Sequence, residues 1–292
     1  MRSNSIILLS DFCSGSTALQ SELIKSCEIR RSHVIETQYW CMAAALLKMP
    51  QPRIMSSILP MSFTDARAKL TQFLSENLKN YTPPDDSEVL IFDGWKRLCD
   101  AYFPFFFEKS PHHLHYKSAL QLIHESIQKI DNVEFKFIGL IRNPLDTIYS
   151  RWRQWRNNPD KAQWLWYHAY NNLFDFEKLV GERLFVCKYE DLVTDERALS
   201  NIFKFLGAQQ SKKTTSELHA GSIGRWRKDP HFAFQLDSTI TQFAESIGYK
   251  LEELQGRKSL IWPLYRQFKK TKYYIGDLKR FFTKKKGKEP SI

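Results

Sequence analysis

Residues 6–19 read Ile6-Ile7-Leu8-Leu9-Ser10-Asp11-Phe12-Cys13-Ser14-Gly15-Ser16-Thr17-Ala18-Leu19. Four strongly apolar residues run into a Ser/Gly turn and then into a helical pattern, which spells a buried strand emptying into a helix N-terminus. Such a corner offers unpaired backbone N–H groups and the positive end of a helix dipole, a cradle for an anion. Gly15 permits the sharp turn, and Ser14, Ser16 and Thr17 add hydroxyls. An ATP-type loop needs Gly-x4-Gly-Lys-Ser/Thr, but Ser10 stands in place of the first Gly and Ser16 in place of the Lys. The plainer alternative is a strand-to-helix turn capped by Ser14 or Ser16.

Outward from this corner, the pattern predicts a first strand over 5–10, a helix over 15–27, a short strand at 33–36 and an apolar helix over 38–48. Residues 51–65 read as a loop and 64–79 as a helix, before the break Tyr-Thr-Pro-Pro-Asp-Asp-Ser-Glu. Val-Leu-Ile-Phe-Asp-Gly (89–94) reads as a buried strand, as does 133–141, with Pro144 opening a helix. Helix continues over 162–180, a last strand over 183–190, and a helix over 195–206 stopped by Gly207. A loop over 208–235 and a short helix over 237–247 precede a basic tail. Strands alternating with helices imply a doubly wound, mostly parallel α/β sheet flanked by helices in three layers. The expected division is a body over 1–256 and a basic amphipathic helical tail over 257–292.

The composition, 42% hydrophobic and 14% aromatic over 292 residues, is that of a globular chain. No apolar run approaches the roughly 18 residues of a membrane span, and the N-terminus lacks a signal-peptide pattern. Five scattered cysteines without a Cys-x-x-Cys pair point to reduced thiols and a cytoplasmic location. His112, His113 and His115 cluster without a companion ligand set, so no metal is expected. The net charge of +11 suggests nucleic acid until it is located. Residues 257–288 carry twelve Lys/Arg against Asp277, and the remainder balances at 31 basic and 31 acidic. The body is therefore neutral, which argues against a nucleic-acid partner. The tail spaces Ile261, Leu264, Phe268, Ile275, Leu278 and Phe282 at near-helical intervals, a pattern suited to packing on the body or to an anionic membrane.

A second stretch, Leu-Ile-Arg-Asn-Pro-Leu-Asp-Thr-Ile-Tyr-Ser (140–150), sits where a strand ends and ligands bind in open α/β sheets. Arg142 and Ser150 could grip a phosphate from two sides. Alone, an Arg142 paired with Asp146 on a surface turn would be the better reading. Taken together, Ser-Gly-Ser-Thr after strand one and Arg-x-Pro-x-Asp-x-x-x-Ser after a mid-chain strand resemble the sulfotransferase superfamily. Further resemblances follow in order: Phe-Glu-Lys-Ser-Pro (107–111), in the style of carbohydrate-type members; Tyr-Glu-Asp-Leu (189–192) with Phe-Leu-Gly (205–207); and Gly-Arg-Trp-Arg (224–227).

The resemblance implies 3′-phosphoadenosine 5′-phosphosulfate (PAPS) as co-substrate, no metal, and a hydroxyl-bearing acceptor in the style of a glycan or glycolipid. It implies that Cys13, Ser14, Gly15, Ser16 and Thr17 wrap the 5′-phosphosulfate. Arg142 and Ser150, with Gly221, Ser222 and Arg225, would bind the 3′-phosphate, and Tyr189 would approach the adenine. Relatives mostly carry Lys or Arg where this chain has Cys13, so Lys109 is the expected substitute for that cation. Glu36 is the expected base for the acceptor hydroxyl, with His113 and His112 as runners-up and Asp93 as a strand-end alternative. The rival functions are a degenerate P-loop kinase and a catalytically silent nucleotide-binding or membrane-associated protein.

Overall fold

The computed structural model describes residues 2–52, 59–211 and 217–273. Their contacts divide into two compact units, one of Met1–Arg142 with Leu165–Gly221 and one of Asn143–Trp164 with the residues from Ser222 onward.

The first unit is built on five parallel strands: β1 (Ser3–Ser10), β2 (Ile29–Arg31), β3 (Phe105–Lys109), β4 (Val133–Ile141) and β5 (Leu184–Lys188), in the order β2-β3-β1-β4-β5. Ile6, Ile7, Leu8 and Leu9 are fully buried, as a central strand covered on both faces requires. Helices flank the sheet: α1 (Ser16–Leu23), α2 (Tyr39–Leu46), α3 (Phe63–Asn77), α4 (Ser87–Ala101), α5 (Lys117–Lys129), the later turns of α7 (Pro159–Val180), α8 (Tyr189–Thr194) and α9 (Glu196–Leu206). Register sorts the side chains, because successive residues point to opposite faces. On one face, Ser5 accepts a 3.1 Å hydrogen bond from the Trp95 indole of α4, and Phe137 meets Phe176 of α7 at 5.0 Å. On the other, Lys136 Nζ donates to the Leu206 carbonyl at the end of α9 (2.9 Å), and Lys109 reaches α1.

The order places β1 between β3 and β4, so the chain changes direction across the sheet at β1. The carboxyl ends of these three neighbours deliver the 11–15 loop, Lys109 and Arg142 to one edge, the place where such sheets bind ligands.

Two predicted strands are corrected. Residues 89–94 lie in α4, and Asp86 caps that helix by accepting from the Val89 N–H. Its buried positions, Leu90, Ile91, Phe92, Gly94, Trp95, Leu98 and Cys99, keep a helical period beyond Gly94. Asp93 is therefore not a strand-end carboxylate. It sits on the exposed side of α4, bonded to Arg97 one turn on at 2.6 Å. The strand taken for 33–36 is β2, four residues earlier, and 33–36 is irregular chain. The missing central strand is Phe105–Lys109, all of it buried.

In the second unit, α6 (Pro144–Trp155) is capped by Asn143, whose Oδ1 accepts from the Leu145 N–H at 2.9 Å. The first turns of α7 follow, and then α10 (Arg225–Lys228), α11 (Ser238–Ser246), α12 (Leu251–Leu254) and a helical stretch over 262–273. The expected loop over 208–235 thus contains α10, and residues 212–216 lie outside the described chain, as do 53–58 and the tail from 274. Asp146 Oδ1 accepts the Gly224 N–H at 2.9 Å, and Tyr149 donates to Asp229 at 3.0 Å. No helix among the described residues is long and apolar enough to cross a membrane.

Candidate active site

The corner after β1 is held in shape from beneath. Cys13 (φ 61°) and Gly15 (φ 90°) both take the left-handed conformation. A side chain at Gly15 would also collide with the ring of Tyr189, so the loop needs glycine twice over. Ser14 Oγ donates to the Asp11 carbonyl at 2.7 Å, and Asp11 Oδ1 accepts the Phe12 N–H at 2.8 Å. The same Oδ1 lies 2.7 Å from Nε2 of buried His115, and the Phe12 ring stacks on His115 at 5.3 Å. No side chain caps α1, which begins right after Gly15. Its first-turn N–H groups therefore carry no side-chain cap, the arrangement of a helix N-terminus open to an anion.

Lys109 stands at the mouth of this cradle. Its side chain is 1% exposed, and Nζ donates to Thr17 Oγ1 at 3.0 Å and to Glu36 Oε1 at 2.9 Å. Glu36, 37% exposed, can reach solvent. Two groups that sequence put forward for different roles, Lys109 and Glu36, are thus one ion pair bonded to Thr17 of the 13–17 loop.

The pair is fixed by rungs on either side. Thr37 Oγ1 donates to Glu108 Oε1 (2.7 Å), Ser110 Oγ donates to the same oxygen (2.6 Å), and Ser110 Oγ accepts the Gln38 N–H (2.8 Å). Residues 36–38 are therefore stitched to 108–110 one for one. Burial pushes the Glu108 carboxyl up to about 7, against the opposing pull of its two hydroxyl donors. Glu108 Oε2 faces His113 Nδ1 at 3.5 Å, both side chains fully buried. Burial lowers His113 to about 3 and His112 to about 4, so both imidazoles are neutral at ordinary pH.

Arg142, at the exit of β4, also turns toward the loop. Its Nη1 donates to the Cys13 carbonyl at 3.2 Å, and its guanidinium lies 4.5 Å from the centre of the Tyr189 ring. Tyr189 opens α8 rather than ending a strand, and its hydroxyl donates to the His219 carbonyl at 3.2 Å. The first unit thus gathers the Cys13–Thr17 loop, Arg142 and Tyr189, with Glu36 and Lys109 at the other side of the loop. Gly221 ends this unit in a single 3-10 turn, Ala220–Ser222. Ser150 on α6, Ser222 and Arg225 at the start of α10 belong to the second unit.

Sequence reasoning missed the supports: Asp11, Thr37, Glu108 and His115. A carboxylate immediately after a buried strand, as Asp11 is, and another closing a run of phenylalanines, as Glu108 is, were the available signals, since a buried charge demands a partner.

A profile described as "Sulfotransferase family" matches residues 6–212. The sulfotransferase domain of the Synechococcus PCC 7002 olefin synthase superimposes with a TM-score of 0.58 at 22% identity, over 85% of this chain and 96% of that one. The sulfotransferase domain from the curacin biosynthetic pathway gives 0.56 at 20% identity, over 84% and 97%. No curated protein gives a significant match. These two structures share the fold, and the profile spans the 13–17 loop, the Glu36–Lys109 pair, Arg142 and Tyr189, so the chain belongs to the sulfotransferase family.

Proposed function

We propose that this sulfotransferase moves the sulfuryl group of PAPS to an acceptor hydroxyl, with Glu36 as base and Lys109 as the cation of the leaving group. One observation carries the reading: Lys109 Nζ touches both Glu36 and Thr17, joining a solvent-accessible carboxylate to the phosphate loop. The loop fits a terminal phosphate, because its first-turn amides are uncapped and its glycine leaves no room for a side chain.

PAPS supplies an activated sulfuryl group; the chain supplies what the in-line displacement needs. The acceptor oxygen bonds to sulfur while the bond from sulfur to the 5′-phosphate oxygen breaks, releasing adenosine 3′,5′-bisphosphate. Glu36 takes the hydroxyl proton. As it does so it ceases to be an anion, and Lys109 is freed to put its charge on the departing phosphate. The base and the leaving-group cation are thus coupled through the ion pair they form at rest. His113 is a poorer base for this step, being fully enclosed and depressed to about 3. Arg142 takes the 3′-phosphate and Tyr189 the adenine, while Ser150, Gly221, Ser222 and Arg225 keep the donor-binding roles the resemblance gives them. The acceptor reading is a glycan or glycolipid hydroxyl, resting on the Glu-Lys-Ser-Pro segment. The five free cysteines suit a reducing compartment, which we read as the cytoplasm.

The test has two arms. Adenosine 3′,5′-bisphosphate without metal, at about a hundredfold above its Kd, should add about 2.7 kcal/mol and raise Tm by several degrees. A response to Mg·ATP instead would return the degenerate-kinase reading. Labelled PAPS offered with glycans, glycolipids, phenols and aliphatic alcohols then identifies the acceptor. Aliphatic alcohols enter because the two structural neighbours come from an olefin synthase and the curacin pathway. Nucleotide binding without transfer to any class would leave the silent nucleotide-binding protein standing.

A further inference from the structure

The terminal helical stretch over 262–273 has two unlike faces. One is docked on its own unit. Trp262 is buried and meets Trp152 at 5.2 Å and Phe232 at 5.1 Å, while Arg266 Nη1 pairs with Asp160 at 2.7 Å, one turn along. The other face carries Leu264 and Phe268, with Leu260 and Ile261 just ahead of the helix. These four are the most exposed large apolar side chains among the described residues, at 73%, 63%, 98% and 71%. Among the described residues twelve large hydrophobic side chains are exposed, so the concentration of the top four within nine residues is not chance scatter.

Charge decides what covers this stripe. From Gln255 to Gly276 the sequence has six Lys/Arg and no acidic residue, and six more Lys/Arg follow between 279 and 288. Lys258, Lys270 and Lys272 are exposed around the stripe. A second copy docked on the same face would bring two such cationic sets together, a repulsive juxtaposition. An anionic bilayer surface offers both complements at once, acyl chains for the apolar stripe and phosphates for the lysines. Beside the stripe, an open cavity of about 500 Å³ is lined by Arg257, Lys258, Arg266, Asp160 and Trp262; Asp160 is paired with Arg266, so Arg257 and Lys258 give the cavity its excess positive charge, suited to a lipid headgroup.

We propose that the segment 257–273 is a peripheral docking site for anionic membrane, with Leu260, Ile261, Leu264 and Phe268 inserted at the interface and the helix held to its unit by Trp262 and Arg266. The enzyme then works at a lipid surface rather than only free in solution. The proposal stands apart from the identity of donor and acceptor.

The experiment is co-sedimentation of the full chain with vesicles of phosphatidylcholine, with and without about 30% phosphatidylglycerol. Binding should be about tenfold or more stronger to the anionic vesicles, and raising salt from about 0.1 M to about 0.5 M should weaken it. The double variant Leu264→Gln/Phe268→Gln, whose changes lie in solvent, should keep the wild-type Tm and lose about tenfold in vesicle partition. Three outcomes overturn the proposal. One is wild type that stays in the supernatant at every lipid concentration, and another is a double variant that binds as the wild type does. The third is a concentration-dependent dimer, revealed by light scattering, that the double variant abolishes, assigning the face to a second copy.

Discussion

Lys109→Met separates catalysis from architecture at the Glu36–Lys109 pair. Methionine keeps most of the buried stem and removes the ammonium, together with its bonds to Glu36 at 2.9 Å and Thr17 at 3.0 Å. The two partners are unequally solvated: Lys109 is 1% exposed and Glu36 37%. Removing the lysine therefore deletes the desolvated charge and leaves a carboxylate that can hydrate, so the fold should lose only about 1 kcal/mol. If Lys109 neutralises the leaving phosphate, kcat should fall about 10²–10³-fold, equivalent to about 2.7–4 kcal/mol of transition-state stabilisation. KM for the donor should change far less, because the charge on that phosphate grows as the bond breaks. Steady-state assays with labelled donor, alongside the Tm shift given by adenosine 3′,5′-bisphosphate, measure the two effects separately. A rescue sharpens the result. Cys13 already occupies the left-handed region, so Cys13→Lys adds little backbone cost, and in the Lys109→Met background it should recover about tenfold or more in kcat. A Lys109→Met enzyme within about threefold of wild-type kcat, with folding and nucleotide binding intact, would refute the reasoning and make the lysine a structural residue.

Glu36→Gln should lower kcat by about 10²–10⁴-fold while the bisphosphate still raises Tm. It should also destabilise the fold more than Lys109→Met does, because it leaves the buried ammonium without its anion; equal activity or the reverse stability order would count against both assignments. Arg142→Ala should abolish most of the Tm rise produced by adenosine 3′,5′-bisphosphate, and an undiminished rise would remove Arg142 from the donor site. Glu108→Gln tests the buried rung through pH. A carboxyl raised from about 4.5 to about 7 gives stability that is full below about 4.5 and is lost as pH climbs to about 7, a contribution of roughly 3 kcal/mol. His112 and His113, lowered to about 4 and about 3, act in the opposite sense, and their contribution grows as pH rises toward 6.5. Without Glu108 that growth is unopposed, so urea unfolding between about pH 5 and 6.5 should gain stability more steeply in the variant, by about 1.4 kcal/mol per pH unit. Parallel curves would contradict the shift.

Local signals sufficed wherever an element carried its own start and stop. The β1–Gly15–α1 corner, β4 running into Asn143-Pro144, and α9 ended by left-handed Gly207 were all legible. They failed at 89–109, where two short apolar runs competed. Val-Leu-Ile-Phe looks like a strand until the repeat is followed to Leu98, and Phe-Phe-Phe-Glu-Lys hides a strand because its last two residues are charged. The candidate residues could be named from the sequence, but their contacts could not. Lys109 meets Glu36 across 73 residues and Thr17 across 92, and His115 meets Asp11 across 104. Only the parallel order of the strands brings such partners together, and no local pattern encodes it. In the terminal stretch the amphipathic spacing was visible, but which side faces outward follows from the docking of Trp262 on Trp152 and Phe232.

The one-for-one stitching of 36–38 to 108–110 has a dynamic corollary. Displacing the Glu36 carboxylate relative to the Lys109 ammonium would mean unfastening hydrogen bonds on either side of the pair in the same event. The two groups consequently travel as a single rigid plate. If Glu36 and Lys109 act as proposed, any opening that admits an acceptor falls to other segments of the chain, and the base and the cation stay paired meanwhile.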